Sequence, residues 1–565
     1  MSTEPGFDLR KHCLRRWGAL KTERASWFTH WREINEYLIP RSGRFLGDGA
    51  RGDVNRGDKK HHSILDSTGT RANRVLAAGL MAGMTSPARP WFRLQTPDQK
   101  LNESSNVKQW LDDVTKLMRD VFTHSNTYRS LHMMYGELGA YGTAASFVLD
   151  DFDNVVHHYP MTIGEYALAT DARGHVDSLY REVPMTVGQM VREYGKAQCS
   201  QAVQNAFDNG QFDAWRTVLH VVEPRELRDY AKRDATNMPW RSVWLEQGAD
   251  DNKILRESGF RRFRALAPRW EITPGNVYGG SPGMEALGDI KQLQHEQFRK
   301  GQGIDFATLP PLQAPPGTVT SEVEMLPGGV TVSSGTGQSG GIKNLFEARL
   351  DLSALLEDIA DVRVRIRQSF YEDLFLMLAN DQRSGVTARE IAERHEEKLL
   401  MLGPVLEGLH DELLSPLIEI TFDALLEAGA LPPAPPELEG NDLNVQFVSM
   451  LAQAQRAVGL GAVDRLIGTV GAVAQLGKTE VLDKIDGDEL VDTYADMLGT
   501  DPNLIVADDK VAIIREQRAK DQAAMQQAAV APAMAQTAKT MSETDTENKN
   551  ALTDAISMFS GYGGR

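Results

Sequence analysis

Residues 278–429 decide the fold of this chain. They open at 278–303 with YGGSPGMEALGDIKQLQHEQFRKGQG, a helical segment, and continue at 309–341 into the Pro- and Gly-rich LPPLQAPPGTVTSEVEMLPGGVTVSSGTGQSGG. Helical sequence returns in LFEARLDLSALLEDIADVRVRIRQSFYEDLFLMLA, and the polar break NDQRSG at 380–385 separates it from a longer helical run that ends at Gly429. This order is two helices around an insertion with short strands, then a loop and one long helix. It indicates a structural protein with a mechanical role rather than the core of an enzyme.

Two helix starts in this stretch have clear signals. Ser281 can cap a helix that begins at Pro282, because the missing N–H of a proline costs nothing at the first helical position. Thr387 and Glu390 match a capping box, which predicts a helix from there to Ala428, about 60 Å long at 1.5 Å per residue. Two prolines inside that helix predict kinks or local breaks, and they are Pro404 and Pro416.

The N-terminal part of the chain reads as three helical blocks. Residues 8–38 carry apolar side chains at helical spacing. Residues 66–87 alternate small and apolar side chains, and small residues permit close packing between helices. The third block, 106–149, is mainly helical and runs into a strand.

Between residues 146 and 273 the sequence pattern changes to β. The strand candidates are ALATDARGHVDSLYREV, which bends at Asp171–Gly174, followed by TVLHVVEP, PWRSVWLEQ and PRWEITP. The segments MTVGQMVREYG and QAVQNAFDNG predict short helices between them. This block is therefore predicted to be α+β, with a small antiparallel sheet.

Charge and composition argue against several functional classes. The formal charge of −17 disfavours a surface that grips phosphate, because such proteins concentrate Lys and Arg. DNA that slides past without sticking is still compatible with this charge. Cys13 and Cys199 are too far apart in sequence to indicate a disulfide framework or a zinc site. No signal segment is evident at the start, and the most apolar run, 75–84, has about half the length of a membrane span.

The enzyme-like motifs fail on inspection. The run Gly335–Gly340 fits G-x-G-x-x-G, but it lies in a Gly/Ser stretch without the surrounding βαβ pattern, which predicts a plain loop. The run Gly279–Gly283 fits a nucleophile elbow, yet the residue after Ser281 is Pro282, which lacks the N–H that the oxyanion hole requires. His395–Glu397 lacks the second histidine of a zinc motif. We therefore predict no catalytic residue, no metal site and no cofactor.

Further blocks of sequence follow one another in a fixed order along the chain. They are LKTERASWFTHWREINEYLIPR with DSTGTRANRVLAAGLMAGMTSPARPWFRL, then YGGSPGMEALGDIK, then TAREIAERHEEKLLMLGPVLEGLHDELLSPLIE, and finally VQFVSMLAQAQRA. Together they resemble the head-to-tail connector, or portal, proteins of short-tailed bacteriophages (podoviruses). The resemblance implies an α+β, mainly α-helical portal fold with a wing that carries a small β-sheet, a helical stem, a small α/β clip and a helical crown. It also implies assembly as a ring, usually of twelve subunits.

The same resemblance implies a division of the chain by position. The ranges are the wing at 1–280, the first stem helix at 281–303, the clip at 304–343, the second stem helix at 344–379, a tunnel loop at 380–386, the long wing helix and linker at 387–445, the crown at 446–516, and a C-terminal barrel or flexible tail at 517–565. The implied tunnel-loop residues at the DNA channel are Asn380, Asp381, Gln382, Arg383, Ser384 and Gly385. The implied clip residues, which would dock the motor and the tail adaptor, are Leu312, Gln313, Glu322, Glu324 and Gln338.

The function implied by the resemblance is that of a channel at one capsid vertex, used for genome packaging, DNA retention, tail attachment and DNA ejection. The implied partners are other copies of the chain, double-stranded DNA bound without sequence specificity, the terminase large subunit, tail adaptor proteins, and the major capsid and scaffold proteins, with no membrane. The implied location is the virion, after assembly in the host cytoplasm. Two alternatives stay open: a virion-associated hydrolase with a site in 146–273, and another structural head protein such as a scaffold.

Overall fold

The computed structural model describes most of the first half of the chain and parts of the second. The described residues are 8–42, 45–46, 62–98, 101–102, 104–232, 234–249, 253–308, 312–313, 343–344, 353–380, 402–438, 443–449, 451, 469–470, 487–488, 490–491, 506 and 510–523. The chain divides into two compact units. The first comprises Met1–Leu94, Asp112–Pro433 and Val445–Gly499, and the second comprises Gln95–Leu111, Ala434–Asn444 and Thr500–Arg565.

The helices and strands alternate in blocks along the chain. The helices are α1 (Leu9–Glu23), α2 (Ala25–Tyr37), α3 (Thr68–Met84), α4 (Ser105–His124), α5 (Thr127–Tyr141), α6 (Val187–Tyr194), α7 (Gln201–Asp208), α8 (Pro282–Glu285), α9 (Leu287–Thr308), α10 (Ser353–Ser369), α11 (Glu372–Asn380), α12 (402–409), α13 (Ser415–Glu427) and α14 (510–523). The strands are β1 (Phe92–Gln95), β2 (Ala145–Asp151), β3 (Val155–Met161), β4 (Tyr166–Thr170), β5 (Val176–Thr186), β6 (Trp215–Pro224), β7 (Trp240–Glu246), β8 (Arg256–Phe260), β9 (Ala265–Leu266), β10 (Leu312–Gln313), β11 (Lys343–Asn344) and β12 (Asn444–Phe447). This mixture of helix and sheet confirms the α+β class.

A five-stranded antiparallel sheet forms the centre of the β block. Its strand order is β4-β5-β6-β7-β8, and the smaller sheets are β3-β2-β9, β1-β12 and β10-β11. Helix α1 covers one face of the large sheet, where Cys13 and Trp17 pack with Leu219 and Val243. Helices α6 and α7 bury a second cluster that includes Val218. The predictions of β4 to β7, and of the two short helices between them, are confirmed.

The predicted strand PRWEITP at 268–274 is wrong. This segment makes only two isolated bridges, from Arg269 to Thr143 and from Glu271 to Gly280. Proline at both ends removes ladder donors, and the buried Arg269 side chain is committed to tertiary contacts.

The small residues of α3 allow close helix packing, as predicted. A Cβ added at Gly79 would lie 2.2 Å from Cδ1 of Phe375 in α11, far inside ordinary contact distance. A Cβ at Gly69 would lie 3.0 Å from Cδ1 of Ile290 in α9. Helix α3 is therefore the element on which α10 and α11 pack, and α9 touches it at Gly69.

The structure corrects the predicted helix at 344–379. Lys343 and Asn344 lie in β11, which pairs antiparallel with β10, so Asn344 is not helical. Helix α10 is described from Ser353. Strand pairing across the Pro- and Gly-rich insertion takes these residues out of the helix. The helix is also interrupted at Tyr371, which has a φ of 54°, in the left-handed region that few residues other than glycine adopt. Helix α9 extends to Thr308, beyond residue 303, where the predicted first stem helix ends.

The helical run after 401 has a local irregularity beside Pro416, one of the two prolines that predict a kink or break there. Pro404, the other, lies within the regular helix α12. Between α12 and α13 lies a π-helical turn, His410–Leu414, in which the N–H of Ser415 bonds the carbonyl of His410. Pro416 follows at once and cannot donate the hydrogen bond of a regular α-helical turn, and a π turn accommodates that loss. The predicted capping box at Thr387 and Glu390 lies outside the described residues.

The first residues of the predicted crown, 446–516, belong to a strand. Gln446 and Phe447 lie in strand β12, not in a helix. Directly after it, the N–H of Val448 donates to the carbonyl of Trp91 at 2.9 Å, so sheet-like hydrogen bonding holds this segment. Within the described residues, no helix is both long enough and apolar enough to cross a membrane.

Candidate functional site

The structure describes only part of the predicted site. Asn380 is the last residue of α11, and Leu312 and Gln313 form strand β10. The other predicted residues lie outside the described part of the chain, and they are Asp381, Gln382, Arg383, Ser384, Gly385, Glu322, Glu324 and Gln338. What the structure does describe is the helices on either side of these segments along the chain: α9, α10 and α11, their contacts with α3, and the helical run after 401.

Helices α9 and α10 pack against each other as a pair. Ile290 and Leu293 in α9, and Val362 in α10, are fully or almost fully buried, while charged side chains occupy the other faces. The guanidinium of Arg365 lies 3.2 Å from a carboxylate oxygen of Asp289, so an ion pair links the two helices as well. Each helix therefore has one packed face and one face exposed to solvent.

Asp66, just before α3, joins this helix pair to the rest of the first unit. Its Oδ1 accepts hydrogen bonds from the N–H of Thr68 at 2.9 Å and from the Thr68 hydroxyl at 2.5 Å. Its Oδ2 accepts from Arg363 Nε at 3.0 Å and Nη2 at 2.7 Å, and from Gln297 Nε2 at 3.2 Å. One carboxylate therefore ties together α3, α9 and α10.

Gln294 adds a second link at the same place. Its Oε1 accepts from the backbone N–H groups of Leu65 at 2.7 Å and of Asp66 at 2.8 Å, while its Nε2 donates to the Asp66 carbonyl at 2.9 Å. Gln294 is buried, so these bonds are shielded from competition by water. We call Asp66, Gln294, Gln297 and Arg363 the Asp66 junction.

Electrostatics at the Asp66 junction favour the ionised carboxylate. Burial acts to raise the pKa of Asp66, but the hydrogen bonds from Thr68 and Arg363 outweigh it and hold the pKa below its ordinary value. The Asp66 side chain is only 8% exposed, whereas Arg363 is 39% exposed. Asp66 is thus a charged, mostly buried carboxylate, and both of its oxygens accept hydrogen bonds from the surrounding helices.

Helix α11, which leads into residues 380–385, is held by packing rather than by charge. Phe375 is fully buried and occupies the space above Gly79 of α3. Phe370, at the left-handed break between α10 and α11, is also fully buried. Contact with α3 therefore fixes the orientation of α11, and with it the position of Asn380 at the end of that helix.

The long helix is anchored independently, through its π turn. Glu412 accepts hydrogen bonds from the backbone N–H of Arg269 at 3.0 Å and from its Nε at 3.1 Å, and the Nη2 group of Arg269 donates to it too. Arg262 forms further pairs with Glu419 and Asp423, each at 2.6 Å, but this arginine is half exposed. The buried Arg269–Glu412 pair is accordingly the principal anchor.

One Ser–His pair in the β block resembles a nucleophile and its base. The Nε2 of His220 lies 3.0 Å from Oγ of Ser242, and both side chains are buried. However, Nε of Arg181 donates to Nδ1 of His220 at 3.0 Å, and a guanidinium can only donate. The neutral ring therefore carries its proton on Nε2 and donates to Ser242, which is the opposite of what a general base does.

The protonation of His220 fits this structural role. Burial and the nearby Arg181 hold the pKa of His220 well below its ordinary value. The ring also stacks on Trp244, with centroids 3.8 Å apart. In the part of the chain that the structure describes, no group of three or more His, Cys, Asp or Glu side chains is arranged to hold a metal ion.

Comparison with known proteins identifies the family. The model of the bacteriophage head to tail connecting protein family matches residues 10–506. The chain belongs to this family. The match spans the Asp66 junction, the helix pair and the long helix, so the resemblance seen in the sequence blocks is confirmed, and with it the portal role.

Two relatives extend the match over nearly the whole chain. The chain is 59% identical over 553 residues to the probable portal protein of Bordetella phage BPP-1, covering 98% of this chain and 99% of that protein. It is 43% identical over 545 residues to the portal protein of Salmonella phage epsilon15, covering 96% and 97%. A chain from the virion of a native gene transfer agent particle aligns over 77% of this chain and 92% of its own length. The TM-score of 0.32 at 12% identity is too low to establish a shared fold.

Sequence reasoning about this connector missed the Asp66 junction. Asp66 follows a Gly-, Arg- and Asp-rich segment and belongs to no motif. Its partners Gln294 and Arg363 lie 228 and 297 residues further along the chain. The one available signal was the buried position of Gln294 on the apolar face of α9, where a polar side chain needs a partner.

Proposed function

We propose that copies of this chain form a ring at one vertex of the capsid, and that DNA passes through its channel during packaging and ejection. The observation that carries the proposal is the family match across residues 10–506, together with two portal proteins matched almost end to end. A ring of many subunits requires each copy to be a stiff wedge. The Asp66 junction and the Arg269–Glu412 anchor supply that stiffness in the described part of the chain.

In this proposal, α9 and α10 form the stem that surrounds the channel, and residues 380–386 form a loop that faces DNA. The fixed direction of α11 supports the second assignment, because α11 ends at Asn380 and is held by Phe375 against Gly79. The formal charge of −17 per copy also fits a passage that DNA must not adhere to.

The insertion between α9 and α10 is proposed to be the clip. The pairing of Leu312 with Asn344 and of Gln313 with Lys343 supports it, because it ties the two ends of the insertion together. In this proposal the insertion meets the terminase large subunit first and tail adaptor proteins later. The major capsid and scaffold proteins are the proposed neighbours around the ring, which assembles in the host cytoplasm and remains in the virion.

The role we propose is structural rather than enzymatic. The hydrolase alternative in 146–273 is disfavoured by the Ser242–His220 pair, since the proton of His220 is committed to Ser242 and the pair is buried. The scaffold alternative predicts a different composition of the mature particle, because a scaffold is lost from mature particles whereas a portal is retained.

A substitution in the proposed loop tests the channel assignment. Replacing Gln382 and Arg383 by alanine, or deleting 381–384, should leave ring assembly intact but reduce packaged or retained DNA. The matched control is Arg15→Ala, an exposed arginine of α1 in the proposed wing, which should package normally. Loss of the rings themselves would show that the loop is structural, and normal packaging would contradict its contact with DNA.

A deletion tests the clip separately. Removing 310–338 should leave a folded wing but abolish binding of the terminase large subunit, measured by co-sedimentation of the two purified proteins. Undiminished terminase binding by this variant would refute the clip assignment and leave the ring proposal standing.

A further inference from the structure

A pocket opens at one end of the large sheet, beside the long helix. Its volume is about 260 Å³, and its apolar walls include Val176 in β5, Trp240 in β7 and Ile420 in α13. Asp411, Glu412 and Glu419 supply carboxylates around it. The pocket therefore combines an apolar floor with an acidic rim.

The rim carries more negative charge than its surroundings neutralise. Glu412 is bound by Arg269 and Glu419 by Arg262. Asp411 is exposed and forms no ion pair with any residue that the structure describes. The pocket thus suits an apolar group accompanied by a cation.

The opposite end of the same sheet presents such a group. Trp215, at the start of β6, is 40% exposed, and Phe212 in the preceding turn is 48% exposed. Two arginines at this end, Arg192 and Arg216, form no ion pair within the described residues, and the Nε of Arg216 is buried without an acceptor. They outnumber the one exposed carboxylate between the aromatic residues, Asp213.

The separation of the two surfaces follows from the strands that join them. Strand β6 runs from Trp215 to Pro224, and Pro224 pairs with Trp240 in the pocket wall. Strand β5 gives the same result, because it runs from Val176 in the pocket to Thr186 opposite Trp215. Ten residues at about 3.3 Å each place the two surfaces about 30 Å apart.

We infer that the aromatic end of one copy, with Trp215 at its centre, docks into the acidic pocket of the next copy. The inference rests on the ring proposed above. A ring needs a head-to-tail contact between two different surfaces of the same chain, placed so that repetition closes it. Opposite ends of one rigid sheet meet that requirement, and an exposed Trp with a neighbouring Arg is the composition found at the energetic centre of interfaces.

The most exposed aromatic residue of the described chain does not fit the pocket. Phe152, at the turn between β2 and β3, is fully exposed. It stands between Asp151 and Asp153, and the acidic rim around Asp411 would repel these carboxylates. Phe152 therefore serves as the control for the experiment.

Disulfide trapping tests the contact directly. In the variant Trp215→Cys/Asp411→Cys, the two cysteines of one chain are too far apart to bond, because a disulfide needs Cα atoms within about 7 Å. The native Cys13 and Cys199 are buried. Oxidised rings should therefore run on a denaturing gel as a ladder of linked chains, whereas each single variant should run as a monomer.

Charge exchange provides a second test that does not depend on the cysteine variant folding. Arg216→Glu and Asp411→Arg should each raise the subunit concentration at half-assembly about 10-fold, and the double variant should restore it. Phe152→Ala should leave it unchanged. Rings without a ladder, together with no restoration, would overturn this inference and leave the proposed function intact. An unmodified protein that forms no rings would overturn the proposed function itself.

Discussion

Replacing Asp66 by asparagine tests whether its charge holds helices α9 and α10 to α3. Asparagine can still accept the two hydrogen bonds from Thr68 through Oδ1. Its amide nitrogen, however, replaces the oxygen that accepts from Arg363 and Gln297, so that donors face a donor. Gln297 can turn its own amide to adapt, but Arg363 cannot, because a guanidinium has no acceptor.

The size of the effect follows from these contacts. Hydrogen bonds to a charged group contribute about 1.5–3 kcal/mol when they are shielded. Arg363 is 39% exposed and regains water, which brings the expected loss down to about 1–2 kcal/mol. A local opening that becomes easier by this amount speeds amide exchange about 5- to 30-fold.

Hydrogen exchange on the assembled protein measures this change. Peptides that cover residues 64–72 and 290–298 should exchange faster in Asp66→Asn. The control is Asp112→Asn, whose carboxylate pairs with Lys116 one turn along the same helix at 2.6 Å, and which should lose less than about 0.5 kcal/mol. Equal exchange in the two variants, or no change in Asp66→Asn, would refute the charge-based junction.

The dependence of hydrogen-exchange protection on pH tests the role of the Asp66 charge independently of the substitution. Because the folded pKa of Asp66 is lowered, its stabilising contribution is present above the unfolded pKa of 3.8 and is lost as pH falls through the folded pKa. The wild-type protein should therefore lose protection at residues 64–72 on acidification below that pH. The Asp66→Asn variant should show no such loss.

Other substitutions test the neighbouring supports. Gly79→Ala should loosen α11 by about 1–3 kcal/mol through its clash with Phe375, whereas Gly18→Ala, with open space around it, should be neutral or stabilising; thermal unfolding compares the two. Glu412→Gln should reduce exchange protection in the long helix by about 3–5 kcal/mol, because a buried arginine loses its counter-charge, and unchanged protection would show that the pair is dispensable. Burial raises the pKa of Glu137 to about 7, so stability should fall as pH rises from about 4.5 to 7, and Glu137→Gln should flatten that dependence in melting curves recorded from pH 4 to 8.

Local signals in the sequence predicted those elements that depend on nearby residues. Ser281 caps its helix by accepting from the N–H of Met284 at 3.0 Å, as the Ser-Pro pair indicates. Strands β5 to β7 alternate or continue apolar residues as buried strands do, and the glycines of α3 lie under larger side chains. Each of these features is decided within a few residues along the chain.

The features that sequence reasoning missed depend on distant partners. Asn344 is in a strand because Leu312 pairs with it across the insertion. Tyr371 adopts a left-handed backbone where the buried Phe370 and Phe375 fix the helices on either side. The Asp66 junction likewise requires side chains that lie more than two hundred residues away. No local pattern encodes such contacts, so the sequence could not predict where α9 and α10 are anchored.

Electron microscopy of the purified protein, viewed along the symmetry axis, tests the central claim most directly. Our account predicts closed rings with a central channel wide enough for duplex DNA. The same ring should appear at a single vertex when the phage particle is reconstructed without imposed symmetry. A chain that stays monomeric even in the presence of the other head proteins, or that is absent from the mature particle, would contradict the account.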